Sequence, residues 1–186
     1  MHFGLCDRCT QNHPSFKLLR SWVVFEDPVR KALHQLKYRR NIGLGGALAT
    51  QMSTFFARLE WPIDTIIPIP LGKRRLKERG YNQVAMVAKP LSLQMGIDCS
   101  PAAMVRIRET RSQVGLSATE RKQNVLHAFK ADKNKVRDRT VMLMDDVSTT
   151  GATLSSAAEA LYESGAKEVY AITIARALPH HSLKLV

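Results

Sequence analysis

The sequence predicts an α/β fold: a parallel twisted sheet flanked by helices on both faces. Three observations carry this reading. Apolar runs alternate along the chain with segments of helical periodicity. One run, Val141, Met142, Leu143 and Met144, shows no polar–apolar alternation, which suits a central parallel strand buried on both sides. That run leads straight into Asp145 and Asp146, a Ser/Thr/Gly loop and a new helix. Open α/β sheets present their ligand sites at such carboxyl ends of strands.

Taken in order, residues 22–25 form a short apolar run that reads as a strand. Residues 28–38 read as a helix, with Val29, Leu33 and Leu36 on one face and Pro28 in the first turn. A clearer helix follows Gly45 and Gly46. Its stripe of Leu48, Met52, Phe55, Phe56 and Leu59 is core, and it ends before Pro62. Residues 64–70 read as a second buried strand. Pro68 and Pro70 cannot donate to a ladder, so this strand should end near Pro68 in a rigid turn. Residues 81–95 read as a helix through Val84, Val87, Ala88 and Leu91, which Pro90 should kink or restart. Residues 103–130 form a long polar and basic excursion, with a short helix expected over 119–126. Residues 134–140 read as a polar turn. After the central strand, Leu154, Ala157, Ala158 and Leu161 share a helical face, with Gly165 at the C-cap. Residues 167–175 supply a closing strand through Val169, Ile172 and Ile174, and residues 177–186 a loose tail.

The acidic loop carries the chemistry. Two neighbouring carboxylates repel unless ribose hydroxyls, a metal ion or nearby Arg and Lys side chains compensate them. Ser148, Thr149, Thr150 and Thr153 bring hydroxyls, and Gly151 permits backbone conformations closed to other residues. The helix start beyond offers free N–H groups and a positive dipole end, which together suit a phosphate. The chain has no G-x-x-x-x-G-K-[ST] loop, and no G-x-G-x-x-G follows a strand, so neither a P-loop nor a dinucleotide fingerprint is present.

At 186 residues and 45% hydrophobic, the chain is one ordinary domain with an ample core. The formal net charge of +12 sits in three segments. Residues 30–40 carry Arg30, Lys31, Lys37, Arg39 and Arg40 with no acid. Residues 73–79 carry Lys73, Arg74, Arg75, Lys77 and Arg79 against Glu78. Residues 106–122 carry Arg106, Arg108, Arg111, Arg121 and Lys122 against Glu109 and Glu120. Such segments converge on a small polyanion such as a diphosphate, form a nucleic-acid surface, or are solvated faces. Charge alone does not choose among these. No stretch approaches the length of a membrane span, and residues 1–9 lack the apolar core of a signal peptide. Three cysteines, two of them close together, point to a reducing compartment, hence the cytoplasm.

The stretch from Val141 through Asp145 and Asp146 to Thr153 closely resembles the phosphoribosyl-pyrophosphate (PRPP) motif of type I phosphoribosyltransferases. Two further motifs narrow the resemblance to ComF/GntX-type proteins, a phosphoribosyltransferase-like group linked to bacterial competence for DNA uptake. Pro68, Ile69, Pro70 and Leu71, followed by Arg79, Gly80, Tyr81, Asn82 and Gln83, look like that group's strand and R-G-[FY]-N-Q signature. Arg106, Arg108, Thr110, Gln113, Glu120, Arg121, Asn124 and Phe129 match its second signature. The resemblance covers residues 22–176, nearly the whole chain.

The resemblance implies a type I phosphoribosyltransferase-like fold over residues 21–186, with a flexible basic flap. It implies that Asp145 and Asp146 hold ribose hydroxyls and, with Arg79, act in catalysis. Val147, Ser148, Thr149, Thr150, Gly151, Ala152 and Thr153 would complete the PRPP loop, with Thr149, Thr150, Gly151 and Thr153 on the 5′-phosphate. Residues 70–82 would take the place of the pyrophosphate loop, with Arg75, Arg79 and Asn82 at the anion, and Mg²⁺ would accompany PRPP. Arg106, Arg108, Gln113 and Arg121 would belong to the flap. Full-length relatives carry two N-terminal cysteine pairs resembling a zinc finger. This chain departs from that pattern: it has Cys6 and Cys9 and no second pair nearby. Residues 1–20 therefore read as a remnant of that segment, with zinc at Cys6 and Cys9 and with His2 or His13 as further ligands. The alternatives are free thiols or a native start further upstream. The partners implied are PRPP and, in a second reading without turnover, single-stranded DNA or DNA-uptake proteins. The oligomeric state stays open, a homodimer being one option.

Overall fold

The computed structural model describes residues 10, 13–39, 41–109, 120 and 124–178. Five parallel strands form the central sheet in the order β1 (Leu19–Val24), β7 (Glu168–Arg176), β6 (Thr140–Ser148), β2 (Thr65–Pro68) and β3 (Asp98–Cys99). Helices α1 (Val29–Tyr38), α2 (Ile42–Ala57) and α4 (Gln83–Met95) lie on one face. Helix α6 (Ala152–Glu163) covers the other, together with an antiparallel ribbon of β4 (Met104–Arg106) and β5 (Phe129–Ala131). The chain also has two short α-helices, α3 (Lys73–Arg79) and α5 (Lys133–Val136), and a 3₁₀ turn over Pro101–Ala103.

The unalternating run at 141–144 is explained by two cores, one on each side of the sheet. Val141 and Leu143 pack with Leu154, Ala158 and Leu161 of α6. Met142 and Met144 pack with Leu33, Leu36, Met52 and Val87 on the opposite layer. All four are fully buried, which is why each must be apolar. The strand does not stop at the acids. It continues through Asp145 and Asp146 to Ser148, paired with β7 as far as Arg176. Strand geometry therefore governs where the two carboxylates point.

Other elements differ from the sequence reading in instructive ways. Helix α2 begins at Ile42, before Gly45 and Gly46, and takes both glycines into its body. Helix α4 runs through Pro90 without interruption. The two facts are linked. Pro90 has no N–H to give the Met86 carbonyl one turn earlier. A Cβ placed on Gly45 would lie 2.5 Å from that same carbonyl oxygen. Gly45 thus lets α2 approach the carbonyl that the proline leaves without its helical partner. The residues read as a polar turn at 134–140 include the single turn of α5, capped by Asp132, whose side chain accepts from the Asn134 N–H at 3.1 Å. The short helix expected over 119–126 lies partly outside the described residues, and the tail does so beyond Leu178. Among the described residues no helix is long and apolar enough to cross a membrane.

The glycine pair of α2 offers a contrast. Gly45→Ala should lower stability by about 1–3 kcal/mol through the backbone clash, despite a helix-propensity gain of about 1 kcal/mol. Nothing lies within 4 Å of a Cβ on Gly46, so Gly46→Ala should raise stability by up to about 1 kcal/mol. Thermal unfolding of the two variants beside the wild type should give shifts of opposite sign.

Candidate functional site

The carboxyl end of β6 opens into a hollow lined by Asp145 and by residues 147–154. The floor is set by Gly151, whose φ of +79° places it in the left-handed region as the N-cap of α6. A side chain there would be strained by that φ and would also meet the Phe16 ring at 3.5 Å. The N-cap residue itself makes no side-chain capping bond to α6. The Thr150 hydroxyl accepts from the Ala152 N–H at 3.3 Å, which tightens the entry to the helix. Ser148 lines the same hollow, but its hydroxyl also accepts from Arg176 Nη1 at 2.9 Å, which ties the loop to the end of β7.

Adjacent residues of a strand point to opposite faces, and the two acids obey that rule. Asp145 lines the hollow, on the same side as Leu143. Asp146 lies on the side of Met144, where α1 and α4 pack. Its Oδ2 pairs with Lys37 Nζ at 2.9 Å and accepts from Gln83 Nε2 at 3.0 Å. The backbone binds the pair further. Asp146 N–H donates to Asp145 Oδ1, and Val147 N–H donates to Asp146 Oδ1, both at 2.8 Å.

These surroundings drive the two carboxyls apart in acidity. Burial, then the charge of Asp146, pushes Asp145 up to about 7, against the Asp146 N–H and the cations Lys37 and Arg106. Burial alone would also raise Asp146. The charge and hydrogen bond of Lys37, the Gln83 amide and the Val147 N–H outweigh it and hold Asp146 below the ordinary carboxylate range. One acid is thus a settled anion facing a lysine, and the other is a carboxyl that titrates near neutrality beside the hydroxyls of the loop.

The basic segments divide. Arg106 is half-buried, with its guanidinium 5.2 Å from the centre of the Phe129 ring. Burial and the nearby charge of Arg75 make it a weaker base, while Asp145 and Glu109 oppose that shift. Arg75, Arg106 and Asp145 therefore share one electrostatic neighbourhood. Arg79 reaches the acid pair through Gln83. It donates to Gln83 Oε1 at 2.8 Å and stacks over Tyr38 at 5.2 Å. Asn82 has a structural task at both ends of its amide, donating to the Ile69 carbonyl and accepting from the Val84 N–H as the cap of α4. Arg108 donates to the Asn124 carbonyl at 3.1 Å. Gln113, Arg121, Cys6 and Cys9 lie outside the described residues.

The basic residues 73–79, expected in the pyrophosphate loop, form the helix α3, which has no buried residue. Glu109 reaches its first turn, accepting from the Arg74 N–H at 3.1 Å. Lys37 and Gln83 were not singled out as partners of the acid. Gln83 stands within the R-G-Y-N-Q signature and so carried a signal. Lys37 was one cation among five in its segment, and only tertiary packing distinguishes it.

Comparison with known proteins agrees with this geometry. A family model described as the phosphoribosyl transferase domain matches residues 83–183 of the 186. The DNA utilization protein YhgH of Escherichia coli (strain K12) is 34% identical over 179 residues, 93% of this chain and 78% of that protein. Competence protein F of Haemophilus influenzae is 31% identical over 180 residues, 92% of this chain and 78% of that protein. Competence protein ComFC of Bacillus subtilis is 31% identical over 160 residues, 84% of this chain and 63% of that protein. The parallel sheet, the acidic loop at the end of its central strand and these relatives place the chain in one family: it belongs to the phosphoribosyl transferase domain proteins, as a ComF-type member.

Proposed function

We propose that the hollow at the end of β6 binds PRPP, and that the domain transfers a phosphoribosyl group with release of pyrophosphate. One observation carries this reading: Asp145 and the hydroxyl–glycine loop line a single hollow onto which the N-terminus of α6 opens. A pentose phosphate needs those parts together. The positive dipole end of α6 and the hydroxyls of Thr149, Thr150 and Thr153 suit the 5′-phosphate. Asp145 suits a ribose hydroxyl and, once ionised, the positive charge that grows on the ring as the bond to pyrophosphate breaks. Arg75 and Arg106, in the neighbourhood of Asp145, suit the diphosphate. An incoming nucleophile takes the anomeric carbon, so the chain needs no nucleophilic side chain of its own.

Magnesium fits this site as a companion of the substrate. Among the described residues, no three His, Cys, Asp or Glu side chains gather into a cage. The hollow instead offers the Asp145 carboxylate and hydroxyl oxygens, the hard donors that Mg²⁺ accepts beside phosphate oxygens. When bound there, the ion would neutralise charge on the leaving diphosphate. Cys6 and Cys9, on the segment ahead of Ser15, belong to this proposal as zinc ligands. About one equivalent of zinc by elemental analysis supports Cys6 and Cys9 as ligands, and a value far below that ends the idea.

A second reading rests on α3. It presents Lys73, Arg74, Lys77 and Arg79 with no buried residue, a surface suited to single-stranded nucleic acid. Titration calorimetry decides between the two. PRPP with Mg²⁺ should give a saturable heat that Asp145→Asn weakens at least about tenfold. No heat in the wild type, beside single-stranded DNA binding that falls steeply with salt and survives Asp145→Asn, would transfer the function to α3.

The acidity of Asp145 gives a test that needs no ligand. Its folded value, about 7, lies above its unfolded value of about 4. The native state therefore binds this proton more tightly, and the stability linked to it is full at low pH and is lost as pH rises between those values. Asp145→Asn cannot ionise and escapes the loss. Its melting temperature should match the wild type near pH 4 and exceed it by several degrees near pH 8. A difference that stays constant with pH would show that Asp145 has an ordinary acidity.

A further inference from the structure

Lys37 and Tyr38 are the last two residues of α1, a helix that lies outside the matched domain segment. Both touch the site described above. Lys37 holds Asp146 at 2.9 Å, and Asp146 holds Gln83 at 3.0 Å. The other end of the Gln83 amide accepts from Arg79 at 2.8 Å, and the Arg79 guanidinium lies over the Tyr38 ring. The chain of contacts starts and finishes on neighbouring residues of one helix. It links the acid end of β6 to the end of α3, the helix that also carries Arg75, a residue suited to the diphosphate in the reading above. Asp146 is only 8% exposed, so an anion there without a partner would be costly.

We propose that Lys37 is a positioning residue: it fixes Asp146 on the helical layer and, through Gln83, fixes Arg79, so that Asp145 alone faces the ligand and both halves of the site are held in register. The proposal rests on the PRPP reading for its ligand but not for its geometry. The lysine acts through Asp146 and touches no reacting atom. A guanidinium can reach the same carboxylate, whereas an apolar side chain of similar length cannot replace the charge.

Three variants test it: Lys37→Met, Lys37→Arg and the pair Lys37→Met with Asp146→Asn. PRPP affinity in Mg²⁺ should fall at least about tenfold in Lys37→Met and stay within about threefold of wild type in Lys37→Arg. The pair should bind no more weakly than Asp146→Asn alone, since both changes cut one connection. That pair removes both charges and so keeps the comparison open if Lys37→Met does not fold. Full additivity of the two losses, or wild-type affinity in a folded Lys37→Met, overturns the proposal. A readout without ligand separates it from the functional reading. The ¹⁵N signals of the Gln83 side-chain amide and of Arg79 Nε should move in Lys37→Met, or in the pair relative to Asp146→Asn if only the pair folds, and return in Lys37→Arg. Unmoved Gln83 and Arg79 signals in folded Lys37→Met overturn the lock. Signals that respond as expected in a protein that binds no PRPP uphold the lock and overturn the functional reading alone.

Discussion

Two adjacent carboxylates at the end of a central parallel strand are the constraint around which this domain is arranged. Side by side in a loop they would share solvent and repel weakly. Carried on a strand, they are sent to opposite faces and into different surroundings. One meets a hollow open to solvent, the other a packed layer where burial penalises its charge. Lys37 offsets the second case by ion pairing, while burial first and then the charge of Asp146 push the Asp145 carboxyl up to about 7.

The same strand explains how much of the architecture was legible. Residues 141–144 carry no alternation because two cores meet there, and an uninterrupted apolar run means a doubly covered strand. The stripe of α2, the face of α6 and the early end of β2 near Pro68 were likewise readable from spacing alone. Boundaries failed where a local rule met a tertiary contact. Gly45 and Gly46 read as lying ahead of the helix, yet Gly45 is required inside α2 because α4 passes so closely. Pro90 reads as a break, yet α4 continues because a lost helical bond costs little beside the packing of Val84, Val87 and Leu91. The β4–β5 ribbon was not seen: its strands have three residues each and pair across a separation too long for any local pattern.

At the site, chemistry was legible and connectivity was not. Residue types at fixed spacing specified the acids, the hydroxyls and the left-handed glycine; Asp145, the hydroxyls and the glycine line one hollow, while Asp146 faces the helical layer. The ion pair of Lys37 with Asp146 joins residues that are 109 positions apart, and nothing in composition favours Lys37 over Lys31 or Arg39. Asn82 shows the converse. A motif residue expected at an anion has both ends of its side chain engaged in holding Ile69 and the start of α4. A motif records which residues recur together, and some of them serve the backbone that presents the others.

The division of the chain gives this arrangement its consequence. The matched domain segment begins at Gln83 and contains the acidic loop, α6 and the closing strand. Asp146 lies in that segment, but the cation that neutralises it comes from α1, and Arg79, reached through Gln83, lies ahead of it. The N-terminal layer is therefore more than a cover for one face of the sheet. Ser15 and Phe16 repeat the pattern on the other face. The Ser15 N–H donates to Ser155 Oγ at 3.0 Å, its hydroxyl donates to Glu159, and Phe16 packs beneath Gly151. The loop that lines the hollow is held from both sides by residues before position 40, so its geometry is a property of the whole fold. Any change that loosens α1 or the segment at 15–16 reaches the loop without altering a residue of its motif.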